Sequence, residues 1–357
     1  MSGRTIPTAI LGASGYIGQH FARLLVDHPW FEPPLLVSGE RSVGKQLEDV
    51  WQLAEAPPPG LAAERLRPLG PGELARRGIR AVFSALPSGL AGGVETELVR
   101  RGVSVFSNAA DHRRDRTAPL LVPEVNASRL ASVGRPRSGR GLLVTNPNCS
   151  AAGLVVALAP VVPLLAPRSV HVSTYQALSG AGFPGVPSLT ITDNVVPFIR
   201  EEEEKVAEES ALLLGRDRGR RVVPWAPPIV AHCARVGTRE GHLEAVTLEA
   251  TRRPSLAQLL RAWSGFDPLA PRSLPTAPAP PVIVRREPDR PQPLRDRWAG
   301  EPARARGMAV TVGRVRWSPP YLRFFLLSHN AVRGGAGGSV LNAELAVDER
   351  LLPSEVR

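Results

Sequence analysis

The sequence predicts an α/β protein of two domains: a doubly wound parallel sheet followed by an α+β domain with a mixed, largely antiparallel sheet. In the first 150 residues, apolar strands alternate with helical segments, which is the pattern of parallel strands joined by crossover helices. Beyond residue 165, strands alternate apolar and polar side chains and helices are fewer, as in sheets with one open face. The chain of 357 residues is long enough for two hydrophobic cores.

The first domain is predicted over residues 1–148. Its strands are expected at residues 7–11, 35–37, 81–88, 103–108 and 142–144, and its helices at residues 19–27 and 90–101. A last helix at residues 339–347 is expected to pack back on this domain, so that residues 336–357 complete it. The strand and helix alternation makes this a Rossmann-like sheet.

The second domain, which is predicted to be catalytic, covers residues 149–335. Its alternating strands are expected at residues 170–176, 229–236, 243–250, 282–285, 308–315 and 322–327. A helix is expected over residues 201–214. The open face of such a sheet is a candidate surface for self-association, as a homodimer or a dimer of dimers.

Charge and cysteine content argue against several classes of protein. The formal net charge is +11, but the arginines are scattered along the chain, so we expect no nucleic-acid partner. No apolar run is long enough to span a bilayer and the N-terminus lacks a signal-peptide pattern, so we expect no membrane partner. With only Cys149 and Cys233, the chain cannot form a disulfide framework or a multi-cysteine metal site, which favours the reducing cytoplasm.

A glycine-rich loop joins the first strand to the first helix. Gly12, Gly15 and Gly18 follow the spacing G-x-x-G-x-x-G. Glycines at such a turn let the main chain approach a pyrophosphate, which then lies on the N-terminus of the helix. The motif alone is weak, but its position between strand and helix predicts a dinucleotide site.

The segment after the second strand is basic. Glu40 is the kind of acid that holds the ribose 2′-hydroxyl of NAD, but Arg41, Ser42 and Lys45 crowd it. Guanidinium, hydroxyl and ammonium groups suit a 2′-phosphate, so NADP is favoured over NAD. The alternative is a charged turn that only faces solvent.

The segment Asn146 to Ser150 joins an apolar strand to a long apolar helix. A thiol at a helix N-terminus meets unpaired main-chain N–H groups and the positive end of the helix dipole, and both favour thiolate over thiol. Cys149 is therefore a candidate nucleophile. The alternative is a small buried hydrophobe, which is our interpretation of Cys233.

Two charged segments are candidate ligand contacts. Glu202 and Lys205 lie three residues apart on one face of a predicted helix, where they could present a carboxylate and an ammonium to a zwitterionic or phosphorylated ligand. The loop after the fourth strand contains Arg113, which could bind an anion bidentately. For both segments the alternative is a solvated surface.

Short motifs occur along nearly the whole chain. They lie at residues 11–15 (LGASG), 40–42 (ERS), 83–88 (FSALPS), 106–109 (FSNA), 122–126 (VPEVN), 146–150 (NPNCS), 176–182 (QALSGAG), 193–194 (DN), 202–205 (EEEK), 241–244 (GHLE), 289–293 (DRPQP) and 329–334 (HNAVRG). Together they resemble the motifs of the aspartate-β-semialdehyde dehydrogenases, specifically the branch of archaea and fungi.

The resemblance implies NADP-dependent interconversion of L-aspartyl-4-phosphate and L-aspartate-4-semialdehyde, on the route to lysine, threonine, methionine and isoleucine. It also implies that Cys149 attacks the acyl phosphate to form a thioester, that His242 is the acid/base and that Gln176 positions the acyl group. Two alternatives keep this chemistry on another substrate: malonyl-CoA reductase and N-acetylglutamyl-phosphate reductase.

The resemblance further implies the binding residues. Arg235 would bind the substrate α-carboxylate and Glu202 its amino group, with Glu204 as second choice. Substrate phosphate would be held by Arg113 and Lys205, with Asn108 as a further substrate contact. The residues implied for NADP(H) are Gly12, Ser14, Gly15, Tyr16, Ile17, Gly39, Arg41, Ser42, Lys45, Ser84, Leu86, Ser179, Gly180, Gly182 and Asn330. The implied partners are the substrate, inorganic phosphate and further copies of the chain; no metal is implied.

Overall fold

The computed structural model describes residues 5–134, 139–218 and 221–352. The chain folds into two compact units. Unit 1 comprises Met1–Leu121, Ala127–Asn146 and Gly335–Arg357, and unit 2 comprises Val122–Asn126 and Pro147–Gly334. Residues 353–357, the end of the segment expected to complete the first domain, lie outside the described residues.

Strands and helices are numbered in chain order. The strands are β1 (Thr8–Leu11), β2 (Leu35–Val37), β3 (Ala81–Ser84), β4 (Ser104–Ser107), β5 (Leu143–Thr145), β6 (Pro167–Gln176), β7 (Arg216–Arg218), β8 (Arg221–Val223), β9 (Ile229–Arg235), β10 (His242–Ala250), β11 (Val282–Val284), β12 (Val310–Ser318) and β13 (Tyr321–Ser328). The α-helices are α1 (Tyr16–Leu25), α2 (Pro59–Ala62), α3 (Pro71–Arg76), α4 (Ala91–Arg100), α5 (Pro123–Asn126), α6 (Ser128–Val133), α7 (Cys149–Leu158), α8 (Val162–Leu165), α9 (Ser188–Ile191), α10 (Glu202–Leu213), α11 (Leu256–Ser264), α12 (Pro293–Asp296) and α13 (Gly337–Asp348).

Unit 1 is built on a parallel five-stranded sheet of order β2-β1-β3-β4-β5. Every residue of β1, β3 and β4 is buried, since helices cover both faces. Leu74 of α3 and Leu98 of α4 belong to the core on one face. On the other face Phe21 of α1 packs on Phe83, with 5.3 Å between ring centroids. Helix α13 packs on α1 and β4.

The strand order of unit 1 reverses between β1 and β3. At such a switch point the loops after the two strands run in opposite directions and leave a crevice at the carboxyl ends of the strands. The glycine-rich loop follows β1, and it therefore lies at this crevice. The doubly wound parallel sheet that the sequence predicts is confirmed.

Unit 2 is built on a six-stranded sheet of order β11-β12-β13-β10-β6-β9. Its two outer pairs are parallel and its three inner pairs are antiparallel, so the prediction of a mixed, largely antiparallel sheet is confirmed. Strands β7 and β8 form a separate antiparallel hairpin that the sequence analysis did not predict. Both are three residues long and nearly all their residues are exposed, so they lack the apolar alternation that marks a strand.

The two faces of the unit 2 sheet differ in burial. Along β10, buried residues alternate with partly exposed ones, and the buried set begins with His242 and Glu244. Helix α7 packs against β10, β12 and β13, and α10 packs against β9 and α7. The opposite face includes the exposed side chains of Tyr175 and Val230.

Two kinds of feature are absent from the described ranges. No helix there is both long enough and apolar enough to cross a bilayer. Nor does any group of three or more His, Cys, Asp or Glu residues in those ranges have the arrangement of a metal site.

Candidate active site

The glycine-rich loop of unit 1 has a backbone that only glycine fits. Gly12 has φ +76°, and a Cβ at this position would lie 2.7 Å from the main-chain oxygen of Ala85. Helix α1 begins at Tyr16, after Gly15, and no side chain caps its N-terminus. A bare main-chain loop at the start of a helix is what a pyrophosphate requires, so the residues present fit a dinucleotide.

The other candidate cofactor residues of unit 1 flank this loop. The hydroxyl of Ser14 contacts that of Ser38 at 3.0 Å, which links the glycine loop to the residue after β2. The turn that follows is open to solvent at Gly39, Arg41 and Lys45. The remaining candidates are Ile17 and Ser42, which are half-buried, Ser84, which is the buried last residue of β3, and Leu86, which follows it and is half-buried.

Asn108 and Arg113 lie together after β4 in unit 1. The Arg113 guanidinium donates from Nη2 to the main-chain oxygen of Asn108 at 2.8 Å. Asn146, which follows β5, donates from Nδ2 to Asn108 Oδ1 at 3.2 Å. The two predicted substrate contacts are thus neighbours after β4, and Asn146 contacts one of them from the carboxyl end of the adjacent parallel strand β5.

Cys149 is the first residue of helix α7, and Asn148 is its N-cap. Asn148 Oδ1 accepts from the main-chain N–H groups of Ser150 and Ala151, at 2.9 and 3.1 Å. This cap fixes the start of the helix at the cysteine, so the helix dipole acts on the thiol as the sequence analysis expected. Cys149 Sγ lies 3.2 Å from His242 Nε2.

The hydrogen bonds of His242 define where its proton resides. The main-chain N–H of Ala177 donates to His242 Nδ1 at 3.1 Å, so Nδ1 is an acceptor and the neutral ring carries its proton on Nε2. Burial, together with the charge of Arg235, lowers the pKa of His242 to about 3. At neutral pH the ring is therefore an uncharged Nε2–H donor that faces the sulfur of Cys149.

Gln176 and Asn148 converge on one carboxylate. Glu202 Oε1 accepts from Gln176 Nε2 at 2.8 Å and from Asn148 Nδ2 at 2.9 Å. Glu202 Oε2 makes no hydrogen bond with the part of the chain that the structure describes. Glu202 as a residue is 8% exposed, so its carboxylate is nearly buried.

Arg235 is the buried cation of the unit 2 site. Its Nη1 donates to the main-chain oxygen of Ala177 at 2.8 Å. Burial lowers the pKa of Arg235, and the charges of Cys149 and Glu202 oppose that shift. A guanidinium and a carboxylate close to one thiol match the two charges of an α-amino acid. Lys205, in contrast, pairs with Glu201 at 3.0 Å and is one-third exposed.

The remaining cofactor candidates lie around His242 in unit 2. Asn330 Nδ2 donates to Ser179 Oγ, and Asn330 Oδ1 accepts from the N–H of Gly241, both at 2.9 Å. The Asn330 amide therefore links the turn after β6 to the residue before His242. Gly180 approaches Arg235 so closely that a Cβ would lie 2.6 Å from Nη1. Gly182 follows in the same turn, with φ +68°.

Sequence reasoning missed three residues of this site. Glu209 Oε2 accepts from the main-chain N–H of Asn148 at 2.5 Å. Gly334 lies against Cys149, since a Cβ there would be 2.6 Å from the Cβ of Cys149. Glu244 lies on the same buried face of β10 as His242, and neither of its oxygens has a partner within the described residues.

Each missed residue had a sequence signal. Glu209 is seven residues after Glu202, which places both on one face of a helix. Glu244 and Gly334 fall inside the motifs at residues 241–244 and 329–334, but no role was assigned to either. Cys233 is buried as expected, and burial raises the pKa of its thiol to about 12.

Known proteins match this chain over nearly its whole length. The family models of the semialdehyde dehydrogenase NAD-binding domain and dimerisation domain match residues 7–133 and 158–333. Aspartate-semialdehyde dehydrogenase of Archaeoglobus fulgidus is 44% identical, covering 96% of this chain and 98% of that protein. Malonyl CoA reductase (NADP) of Metallosphaera sedula is 36% identical, covering 97% and 98%.

A solved structure agrees with these relatives. The crystal structure of aspartate semialdehyde dehydrogenase with NADP from Candida albicans has a TM-score of 0.86 and 32% identity, covering 98% of this chain and 100% of that one. The resemblance seen in the motifs to archaeal and fungal proteins is confirmed. The chain belongs to the semialdehyde dehydrogenase family.

Proposed function

We propose that this protein is an NADP(H)-dependent aspartate-semialdehyde dehydrogenase, which reductively dephosphorylates L-aspartyl-4-phosphate to L-aspartate-4-semialdehyde. The observation that carries the proposal is the 3.2 Å contact of Cys149 Sγ with His242 Nε2, with Arg235 and Glu202 beside it. A relative that is 44% identical bears this activity as its name, which supports the assignment.

The charges around Cys149 suit a free amino acid. Arg235 takes the α-carboxylate through its planar guanidinium. Glu202 takes the ammonium on Oε2, because Oε1 already accepts two amide donors. In unit 1, Arg113 and Asn108 are our candidates for the substrate phosphate; in unit 2, Lys205 is a candidate, and it would have to leave Glu201 to serve.

The thiolate of Cys149 attacks the acyl carbon, so that an S–C bond forms, the C–O bond to phosphate breaks and phosphate leaves. His242 Nε2–H donates to the oxygen that becomes negative, and Gln176 fixes the acyl group. After reduction of the resulting thioester the S–C bond breaks, and Nε2–H again stabilises the departing thiolate.

The cofactor supplies, when bound, the hydride that reduces the acyl group. The residues that would hold it in unit 1 are the main chain at Gly12 and Gly15, the hydroxyl of Ser14, and the exposed basic turn with Arg41 and Lys45. The basic turn supports NADP over NAD, since a 2′-phosphate is best met by arginine. NADP is also named in the Candida albicans crystal structure.

A malonyl-CoA reductase is the alternative, because one relative bears that name. A CoA thioester has no ammonium to pair with the nearly buried carboxylate of Glu202, so the site favours the amino-acid substrate.

We further propose that the chain associates with itself through the open face of the unit 2 sheet. A cytoplasmic location is proposed because the reaction needs the free thiol of Cys149.

The proposal is tested by the reverse reaction. Purified protein is mixed with aspartate semialdehyde, phosphate and NADP, and NADPH is followed by absorbance. We expect turnover by the wild type and a loss of about 10³-fold or more in Cys149→Ala, because the nucleophile is gone. Cys233→Ala is the matched control, and it should retain activity because the Cys233 thiol is buried and burial raises its pKa to about 12, so it does not act as a nucleophile.

Malonyl-CoA with NADPH is assayed in parallel at the same protein concentration. We expect this rate to be at least about tenfold lower than that with the amino-acid substrate, the difference that one charged contact gives. Faster turnover of malonyl-CoA would overturn the substrate assignment. Undiminished activity in Cys149→Ala would overturn the mechanism.

A further inference from the structure

Helix α10 contacts the residue before the nucleophile at two points. Glu202 accepts from the side chain of Asn148, and Glu209 accepts from its main-chain N–H. The two carboxylates are two turns apart on the helix, and their residues are 8% and 7% exposed. Side chain and main chain of Asn148 are therefore held by separate buried carboxylates from one rigid element.

The conformation of Asn148 determines where the sulfur lies. Asn148 has φ −51° and ψ 142°, the extended conformation of an N-cap, and Cys149 is the next residue. Any rotation of the Asn148 main chain moves Cys149 Sγ relative to His242 Nε2, which is 3.2 Å away. A hydrogen bond from a buried N–H to a carboxylate is of the strong, charge-assisted kind, so it resists such rotation.

The carboxylates of Glu202 and Glu209 differ in the other groups that they are expected to bind. Glu202 also accepts from Gln176, and its second oxygen is our candidate for the substrate ammonium. A bound cation therefore competes for the carboxylate that holds the Asn148 side chain. The contact of Glu209 is with the Asn148 main chain and involves none of the groups assigned to the substrate.

We propose that Glu209 is a positioning residue, which fixes the main chain of Asn148 so that Cys149 keeps its place beside His242 whether or not a ligand occupies Glu202. The inference rests on the proposed function for the roles of Cys149 and Glu202. In this role Glu209 acts on the reaction through Asn148.

Three substitutions separate the acceptor from the charge. Glu209→Gln keeps an acceptor oxygen but no charge, Glu209→Asp keeps the charge but is one methylene shorter, and Glu209→Ala removes both. We expect kcat for aspartate semialdehyde to fall about ten- to a hundredfold in Glu209→Ala, the loss typical of a displaced reacting group, with KM changed less than about twofold. Glu209→Gln should stay within about threefold of wild type and Glu209→Asp should be intermediate.

Glu208→Ala is the matched control, since Glu208 is the neighbouring residue of α10 and is exposed. It should keep the wild-type kcat. Equal losses in Glu209→Gln and Glu209→Ala, or wild-type kcat in Glu209→Ala, would overturn the positioning role. Should Glu209→Ala not fold, the other two variants decide, and equal kcat in both would overturn it.

Alkylation of Cys149 by iodoacetamide is a second readout, independent of turnover. Modification is located by mass spectrometry, and Cys233 reacts slowly because it is buried with the pKa of its thiol raised to about 12. Glu209→Ala and Glu209→Gln both lack the charge, so only the acceptor differs between them. We expect Cys149 to react several-fold more slowly in Glu209→Ala, because its sulfur is no longer aligned with the Nε2–H of His242.

The two readouts distinguish a failed inference from a failed function. If wild type does not turn over aspartate semialdehyde but the order of alkylation rates holds, the proposed function is wrong and the positioning role stands. If turnover is found and the two variants are alkylated at equal rates, the proposed function stands and the positioning role is wrong.

Discussion

At the residue scale, burial determines the protonation state of two side chains on β10, His242 and Glu244. His242 is neutral because its Nδ1 accepts from a main-chain N–H and its ring is fully buried beside a cation. Glu244, two residues along β10, is fully buried, and burial together with the charge of Glu202 raises its pKa well above the usual value. A carboxyl without a hydrogen-bond donor stays protonated in such a place, because a buried unpaired charge is far less stable.

The protonation of Glu244 is measurable through the pH dependence of stability. In the unfolded chain this carboxyl ionises near the ordinary glutamate pKa of 4.5, whereas in the folded protein it stays protonated to higher pH. Its contribution to stability is therefore full below about pH 4.5 and decreases as pH rises, by about 1.4 kcal/mol per pH unit until the folded pKa is reached. Glu244→Gln cannot ionise and should lose this slope.

The measurement is the free energy of unfolding in urea between pH 5 and pH 8. We expect the stability of Glu244→Gln relative to wild type to increase steadily with pH. Glu249→Gln is the matched control on the same strand, because Glu249 is partly exposed. Parallel curves for Glu244→Gln and wild type would show that Glu244 is ionised in the folded protein.

At the scale of elements, Cys149 lies where two helices, α7 and α10, meet the turn at Val332–Ala336. Helix α7 begins at Cys149, capped by Asn148, and α10 supplies two carboxylates to that cap. The turn at Val332–Ala336 brings Gly334 against Cys149 from another side. The position of the sulfur is thus set by main-chain contacts and by the capped start of α7.

A side chain at Gly334 should displace the nucleophile. In Gly334→Ala the new Cβ would lie 2.6, 2.7 and 2.8 Å from the Cβ, Cα and main-chain oxygen of Cys149, so the cysteine must move. We expect kcat to fall about tenfold or more, since small misplacements of a reacting group are costly. Steady-state kinetics with aspartate semialdehyde and the thermal midpoint are measured together.

Gly93→Ala is the matched control for that substitution. Gly93 is exposed in helix α4 and nothing lies within 4 Å of the added Cβ. It should keep its activity and gain about 0.5–1 kcal/mol of stability, the difference between alanine and glycine within a helix. An active Gly334→Ala with wild-type kinetics would contradict the close contact with Cys149.

At the scale of the whole molecule, the candidate residues for the cofactor and for the reaction belong to two different units. Unit 1 contains the glycine loop and basic turn, and unit 2 contains Cys149, His242 and Arg235. The family model matched by residues 158–333 is a dimerisation domain, which fits a sheet with one open face. On that face Val230 of β9 is 40% exposed and Tyr175 of β6 is 39% exposed, so both side chains are open to a partner.

A charge on this face should weaken self-association. We expect the wild type to have a solution mass at least twice that of one 38.3 kDa chain, and Val230→Glu to shift the mass towards a single chain. Light scattering after size-exclusion chromatography over a range of concentrations gives both masses. Leu294→Glu is the control, because Leu294 is 80% exposed on α12 and does not belong to the sheet. An unchanged mass in Val230→Glu would place the interface elsewhere.

The sequence by itself predicted the strands of the two main sheets, the glycine loop, helices α1, α4, α10 and α13, and the start of α7 at Cys149. These depend on local patterns of apolar residues, glycine and capping side chains, which act between neighbours in the chain. It did not identify the short hairpin of β7 and β8, whose exposed residues have no apolar period.

Only the tertiary structure decided how the charged groups are used. Glu202 accepts from Gln176 and Asn148, and Glu209 accepts from the main-chain N–H of Asn148, the residue before Cys149. These contacts join residues up to 61 positions apart, so neither spacing nor composition contains them. The proton of His242 lies on Nε2 because the fold brings the main-chain N–H of Ala177 to Nδ1. The pKa of Glu244 is raised because the fold buries its carboxyl near the charge of Glu202. Both conditions exist only in the folded protein.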